Sequence, residues 1–243
     1  MIPRLFQAQL LSPHTIIHLD EKASHHVASV LRAKSGDPLI LFNGKGGEYE
    51  AIIRHSHKKI VEVEIISFKS IHTESPMDIY LAQGLARGEK MDFIIQKTVE
   101  LGVKKIIPII TEYSNVKLNA VREEKRLAHW QAIMMSACEQ CGRDEIPDIL
   151  RPVPFKQWIT QAKADVCYVL SPHEVNTLPI KKLSPGNKMI LLIGPEGGLS
   201  PHENELAKQH GFLPLHLGPR ILRTETAAIS AMTIAQFICG DMG

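Results

Sequence analysis

Between Leu191 and Ala228 the chain reads LLIGPEGGLSPHENELAKQHGFLPLHLGPRILRTETAA, and two glycine turns inside this stretch constrain the fold more than any other feature. Met189–Ile193 is a short apolar run that stops at Gly194-Pro195, the pattern of a buried strand ending in a turn. Ser200-Pro201-His202-Glu203 then opens a helix. The Ser200 side chain can accept from the Glu203 amide, the Glu203 carboxylate can reach back, and Pro201 takes the first helical position, where a missing N–H costs nothing. Gly211 stops that helix, and Phe212–Leu217 is apolar enough for a second strand. Gly218-Pro219-Arg220-Ile221-Leu222-Arg223 forms the second turn, with Thr224 or Thr226 available to cap a closing helix. Both turns therefore fall at the carboxyl ends of successive strands, where open α/β sheets bind ligands.

The composition of the turns narrows the ligand. GPEGG lacks the spacing of a dinucleotide fingerprint and the Gly-Lys-Ser/Thr of a phosphate loop. The turns carry Arg220 and Arg223 beside Glu196 and Glu225 but no lysine, which suits a pocket of backbone N–H and C=O groups for a nucleoside-like ligand better than a triphosphate site. Plain helix-capping turns would show the same glycines, so the ligand reading needs support from elsewhere.

Upstream, the chain changes character. Its 243 residues can bury a good core and suggest two domains. Up to residue 72 it alternates in short segments, Thr15–Leu19, Pro38–Phe42, Glu48–Arg54 and Ile60–Phe68, separated by turn signals at Ser35-Gly36-Asp37, at 43–47 and at 55–59, the grammar of a small β-barrel. One helical interruption is expected at Ser24–Ala33. The segment 73–243 turns to a 3.6-residue period after a linker at His72–Pro76: strand Asp78–Gln83, helix Lys90–Leu101, strand Lys104–Ile110, a long helix Val121–Cys141, then Phe155–Ala162 and Asp165–Leu170. This alternation predicts an α/β fold with a mostly parallel sheet covered on both faces.

Charge discriminates little. The net charge is +2; residues 1–72 hold nine Lys/Arg against seven Asp/Glu and seven of the twelve histidines, which allows a local basic face without demonstrating one. Arg4, Arg32 and Lys34 could bind phosphate there, and His25 or His26 could stack on a base. No apolar run approaches the roughly 20 residues of a membrane span, so a cytoplasmic protein without membrane contact is expected. Cys138 and Cys141 form a lone CxxC inside a helical pattern, and with Cys167 and Cys239 they are expected to be buried small apolar residues rather than metal ligands.

IGPEGGLSPHENE and LGPRILRTETAA together resemble the signature of the SPOUT-class methyltransferases, and within them the RsmE-type enzymes that methylate N3 of a uridine in small-subunit ribosomal RNA. The resemblance extends to Pro3-Arg4-Leu5-Phe6, His26, Val30-Leu31-Arg32 and Asn43-Gly44 of a PUA-like RNA-binding domain, to QGLARGEK and QKTVELGV at 83–90 and 96–103, and to CEQCGR at 138–143. It implies a deep trefoil knot in the C-terminal domain, S-adenosylmethionine as cofactor, no metal, ribosomal RNA in a small subunit as partner, and a homodimer. The residues implied for the cofactor are Gly194, Glu196, Gly197, Leu199, Leu217, Gly218, Ile221, Leu222, Arg223 and Thr226. Those implied for RNA are Arg4, Arg32, Arg87, Lys97, Gln140 and Arg143. Where the resemblance suggests arginine after Thr111-Glu112, this chain has Tyr113.

For the chemistry, Arg223 is the candidate to stabilise charge on a uracil carbonyl, since a guanidinium is always charged and cannot be the base. Glu225 and Glu196 are the candidate proton acceptors, each weakened where a helix N-terminus stabilises its anion. Three other readings stay open: a SPOUT enzyme acting on another RNA or on a ribose 2′-oxygen, a non-catalytic RNA-binding assembly factor, and a nucleotide-dependent enzyme, which the missing lysine disfavours.

Overall fold

The computed structural model describes residues 2–57, 60–114, 120–171, 180 and 183–243; Lys58 and Lys59 of the expected 55–59 turn lie outside them. The chain divides into two compact units, Met1–Glu74 with Cys138–Ile146, and Ser75–Ala137 with Pro147–Gly243.

The first unit contains β1 (Arg4–Phe6), β2 (Ile16–His18), α1 (Glu21–His25), β3 (Pro38–Phe42), β4 (Glu48–His57) and β5 (Ile60–Lys69). They form one sheet in the order β1-β3-β4-β5-β2, antiparallel except for the parallel pair β1 and β3. The alternation predicted for β4 and β5 is present: Ala51, Ile53, Val61, Val63 and Ile65 are buried and share one core with Leu39, Leu41 and Val27. The helix begins earlier than the apolar face suggests, because Asp20 caps it by accepting from the Ala23 amide at 2.8 Å. Its continuation, His26–Val30, winds as a π-helical turn, and Arg32 ends it at φ 55°.

Cys138–Ile146 is held in this unit by buried polar groups. Asp144, 1% exposed, accepts from the Gly47 amide at 2.8 Å and the Thr73 hydroxyl at 2.7 Å. Arg143 grips the Glu74 carboxylate through Nε at 3.0 Å and through its second terminal nitrogen. Burial alone would raise the Asp144 carboxyl, but the Gly47 amide and the Thr73 hydroxyl and amide outweigh it and hold the group below its ordinary value. Its contribution to stability is therefore fully present above the ordinary carboxylate pKa and is lost as pH falls through the depressed folded value. Asp144→Asn, which turns a donor toward a donor, should cost about 1–3 kcal/mol at neutral pH. Urea melts at pH 7 and pH 3 should show the gap to wild type closing in acid; a constant gap would remove the carboxylate's charge from the explanation.

In the second unit follow β6 (Asp78–Gly84), α2 (Glu89–Glu100), β7 (Lys105–Ile110), α3 (Ala120–Cys141, its last turn belonging to the first unit), β8 (Asp148–Ile149), β9 (Val153–Pro154), α4 (Phe155–Ile159), β10 (Val166–Leu170), β11 (Lys188–Ile193), α5 (Pro201–Gln209), β12 (Leu213–Leu215) and α6 (Thr224–Cys239). The sheet is parallel throughout, in the order β12-β10-β11-β6-β7-β8 with β9 also paired to β7. Ile190 and Leu192 pack with Phe155 and Trp158 of α4, with Ala207 of α5 and with Phe212. Period-two alternation leaves Leu191 and Ile193 for the other face, where α6 packs on β6 and β11 and α2 packs on α6. Connections leave the sheet in opposite directions on either side of the β11–β6 pair, which opens a crevice at the carboxyl ends of the strands. Cys138, Cys167 and Cys239 are buried thiols outside any disulfide, and burial pushes the Cys138 thiol up to about 12, well away from reactive thiolate.

Candidate active site

The first turn is built by close backbone approach. A Gly198 amide to Pro195 carbonyl bond of 2.9 Å closes it, and Gly198 takes φ +71°. A side chain at Gly194 would bring Cβ to 2.7 Å from the Gly198 carbonyl carbon and 2.8 Å from the Leu199 nitrogen. The helix that follows has the predicted capping box, Ser200 Oγ accepting from the Glu203 amide at 3.2 Å and Glu203 Oε2 from the Ser200 amide at 2.9 Å. The other Glu203 oxygen accepts from the Glu112 amide at 2.9 Å, so one buried carboxylate ties the loop after β7 to the start of α5.

The second turn ends at Arg223, which is itself the N-cap of α6 and makes no side-chain cap bond. Neither threonine has the expected capping role. Thr224 instead donates its hydroxyl to the Gly194 carbonyl at 2.7 Å, which ties the two turns together, and Thr226 lies exposed inside the helix. Gln83, fully buried at the end of β6, donates to Thr224 Oγ1 at 2.9 Å and to the Gly84 carbonyl at 2.9 Å.

Between the turns is a cavity of about 650 Å³. Gly194, Glu196, Gly197 and Leu199 line it from the first turn, and Leu217, Gly218, Ile221, Leu222 and Arg223 from the second. Thr226 and Glu225 are off the lining. At 100° per residue α6 turns Thr224 and Ala227 inward and these two away, and Glu225 Oε2 is buried with no hydrogen-bond partner among the described residues. The sequence reading missed Leu170 at the end of β10 and Ser171 after it, Asn204 on α5, His216 after β12 and Lys90 on α2 as lining groups, while Arg220, noted as a turn residue but not among the cofactor residues, also lines the cavity. Lys90 supplies the lysine that the turns lack.

Glu196 is the one carboxylate among the described lining residues. It accepts from the Arg87 amide at 3.1 Å and pairs with Lys90 Nζ at 3.2 Å. Burial pushes its carboxyl up, but its own amide, the Arg87 amide and the Lys90 ammonium prevail and hold it below the usual range. Arg223 has no ion pair or side-chain hydrogen bond among the described residues and is exposed at the cavity. Among those residues no cluster of three His, Cys, Asp or Glu could hold a metal.

The residues named for RNA contact separate into two groups. Arg32, Arg87 and Gln140 are exposed, and Lys97 is half-buried with its ammonium 2.8 Å from Glu100. Arg4 and Arg143 point into the first unit. Arg4 donates to the Cys138 carbonyl at 2.9 Å, pairs with Glu48 at 3.3 Å and covers the Phe42 ring at 3.8 Å, while Arg143 is 4% exposed on Glu74. Their short reach to surface phosphate follows from this, since each guanidinium is held inside the polar network of the unit.

Fold and cavity place the second unit among RNA methyltransferase domains, whose pattern matches residues 73–236, while an RNA methyltransferase PUA domain matches residues 19–66. The chain is 39% identical, over 99% of its length and 98% of the relative's, to the ribosomal RNA small subunit methyltransferase E of Buchnera aphidicola, and 32% identical over 88% and 86% to that of Bacillus subtilis. Among solved structures, the ribosomal RNA small subunit methyltransferase E of Neisseria gonorrhoeae bound to S-adenosyl methionine aligns with TM-score 0.92 at 34% identity over all of both chains. A Legionella pneumophila protein in complex with bound SAM aligns at 0.95 with 42% identity over 99% of both. The chain belongs to the ribosomal RNA small subunit methyltransferase E family.

Proposed function

We propose that this chain methylates N3 of a uridine in small-subunit ribosomal RNA with S-adenosylmethionine as methyl donor. The observation that carries the reading is the cavity between the two glycine turns, lined by residues of both, one of which, Gly194, leaves no room for a side chain because a Cβ there would meet backbone at 2.7 Å. Such walls fit a nucleoside-bearing cofactor, with main-chain groups of Gly194, Gly197, Leu217, Gly218, Ile221 and Leu222 available to its polar edges and Leu199 and Leu217 to its ring. Bound there, the cofactor supplies a methyl group on a positively charged sulfur, open to displacement by the base nitrogen.

The chain's own groups then have limited tasks: alignment, and stabilisation of charge that spreads onto the uracil carbonyls as the N3 proton leaves. Arg223, cationic and without an internal partner among the described residues, answers the second. Glu196 is held as an anion by Lys90 and amides, which suits a fixed charge and not a proton acceptor. Ile221 is 78% exposed, so water reaches the rim and can take the weakly acidic proton. Glu225 lies off the lining, which leaves it no direct path to the base.

The reading includes the knotted path, supported by the Thr224 bond that sets the second turn against Gly194. It includes a homodimer, supported by Phe93, Ile221 and Phe237, which are 44%, 78% and 65% exposed in the second unit. It also places the protein in the cytoplasm, where small subunits are assembled; no described helix is long and apolar enough to cross a membrane. Transfer of labelled methyl to free ribosomal RNA and to small subunits from cells lacking the activity, followed by nucleoside analysis, tests the reaction. Label in 3-methyluridine is the expected result. Label elsewhere would move the protein to another target atom or RNA, and failure to bind the cofactor at all would favour an assembly factor.

A further inference from the structure

A base can be methylated at N3 only when that edge is freed from pairing, so an enzyme of this kind takes the base out of its stack and must offer a replacement surface. Among the described residues that line the cavity none is Phe, Tyr or Trp. Tyr113 lies against that lining, its Cβ 3.0 Å and two of its ring carbons 3.6 and 3.7 Å from the point where a Gly197 side chain would begin. Tyr113 is 46% exposed, so its side chain touches Gly197 and is also open to solvent.

The turn that presents this ring is tightly held. Thr111 and Ser114 close it through Ser114 amide to Thr111 carbonyl at 3.1 Å, Thr111 amide to Ser114 Oγ at 3.1 Å, and their hydroxyls at 2.9 Å. The residue before the ring, Glu112, donates its amide to the buried Glu203 carboxylate. An exposed aromatic side chain on an ordinary surface turn needs none of these anchors. Here the same carboxylate that caps α5 fixes the height of the tyrosine over the first glycine turn, and Gly197 is required to be bare for the ring to lie there.

We propose that Tyr113 is the stacking platform for the extruded uridine, or for the nucleotide beside it, as that base enters the site. The proposal rests on the uridine reading above. Stacking uses the π-face and not the phenol hydroxyl, so Tyr113→Phe should keep it and Tyr113→Leu should lose it while still covering Gly197.

The test compares wild type, Tyr113→Phe and Tyr113→Leu as full-length proteins on small subunits lacking the modification, with S-adenosylmethionine affinity measured separately by calorimetry. The expected result is kcat/KM lowered about tenfold or more for Tyr113→Leu, carried mainly by KM for the subunit, with cofactor affinity within about twofold and Tyr113→Phe near wild type. Equal kcat/KM for leucine and tyrosine would overturn it. So would a Tyr113→Phe as impaired as the leucine variant, which would assign the hydroxyl, or a parallel loss of cofactor affinity, which would assign the cavity wall. Wild type alone reports whether the product is 3-methyluridine, so failure of the reaction and failure of the stacking role show in different samples.

Discussion

Gly194→Ala should lower affinity for S-adenosylmethionine by about a hundredfold or more, the equivalent of about 2.7 kcal/mol, in a protein that still contains its sheet. The added Cβ would sit 2.7 Å from the Gly198 carbonyl carbon, 2.8 Å from the Leu199 nitrogen and 3.0 Å from the Gly198 Cα, all of them backbone atoms. No flexible side chain is available to yield. Nor can the peptide roll aside, because the Gly194 carbonyl accepts from Thr224 at 2.7 Å and from Gln83 at 3.3 Å, and those bonds join the first turn to α6 and β6. The turn must open, and with it the wall of the cavity. Gly197→Ala is the contrasting substitution, since the three atoms nearest its Cβ all belong to the Tyr113 side chain, the first at 3.0 Å, and none is backbone. Titration calorimetry should find binding nearly intact in Gly197→Ala and lost in Gly194→Ala, with circular dichroism showing similar secondary structure in both. Wild-type affinity in Gly194→Ala would mean that the cavity between the turns is not the cofactor site.

What the sequence made legible was local. The capping box at Ser200 and Glu203, the strand ending at Ile193 and the alternation of β4 and β5 each depend on neighbours within a few residues, and each is present as read. What it concealed depends on partners far along the chain. Arg4 reads as a free cation beside the N-terminus, yet its partners are Glu48 and the Cys138 carbonyl, 44 and 134 residues away. Arg143 reads as a polar group at the end of a long helix, and Glu74, 69 residues earlier, is what holds it. Thr224 and Thr226 read equally well as caps for α6. The choice was made by the Gly194 carbonyl, 30 residues before Thr224, which takes the hydroxyl and leaves Arg223 at the cap position. Lys90 entered the cavity for a similar reason: β6 and β11 are neighbours in the sheet, so the helix after β6 starts beside the turn after β11. An order of strands, which no local pattern encodes, would have been needed to see it.

Arg223→Ala should lower kcat about 10²- to 10³-fold, the loss typical of removing one positioned donor to a developing oxyanion, while cofactor affinity changes by less than about threefold. Three structural facts set this expectation. The side chain lines the cavity; it is exposed and has no ion pair or side-chain hydrogen bond among the described residues to compete for it; and it leaves the backbone at the N-terminus of α6, whose dipole adds to the positive potential at that point. A guanidinium there can present two donors in a fixed plane to a uracil carbonyl, and the interaction strengthens as charge moves from N3 onto that oxygen, so its loss falls on kcat rather than on ground-state binding. Arg223→Lys keeps the charge without the fork and should recover only part of the rate. Single-turnover kinetics on saturating small subunits separates the possibilities. A large rise in KM with kcat unchanged would make Arg223 a phosphate contact, and an unchanged kcat/KM would remove it from the reaction. Recovery by lysine to the full rate would show that charge alone suffices and that the planar donor geometry carries none of the stabilisation.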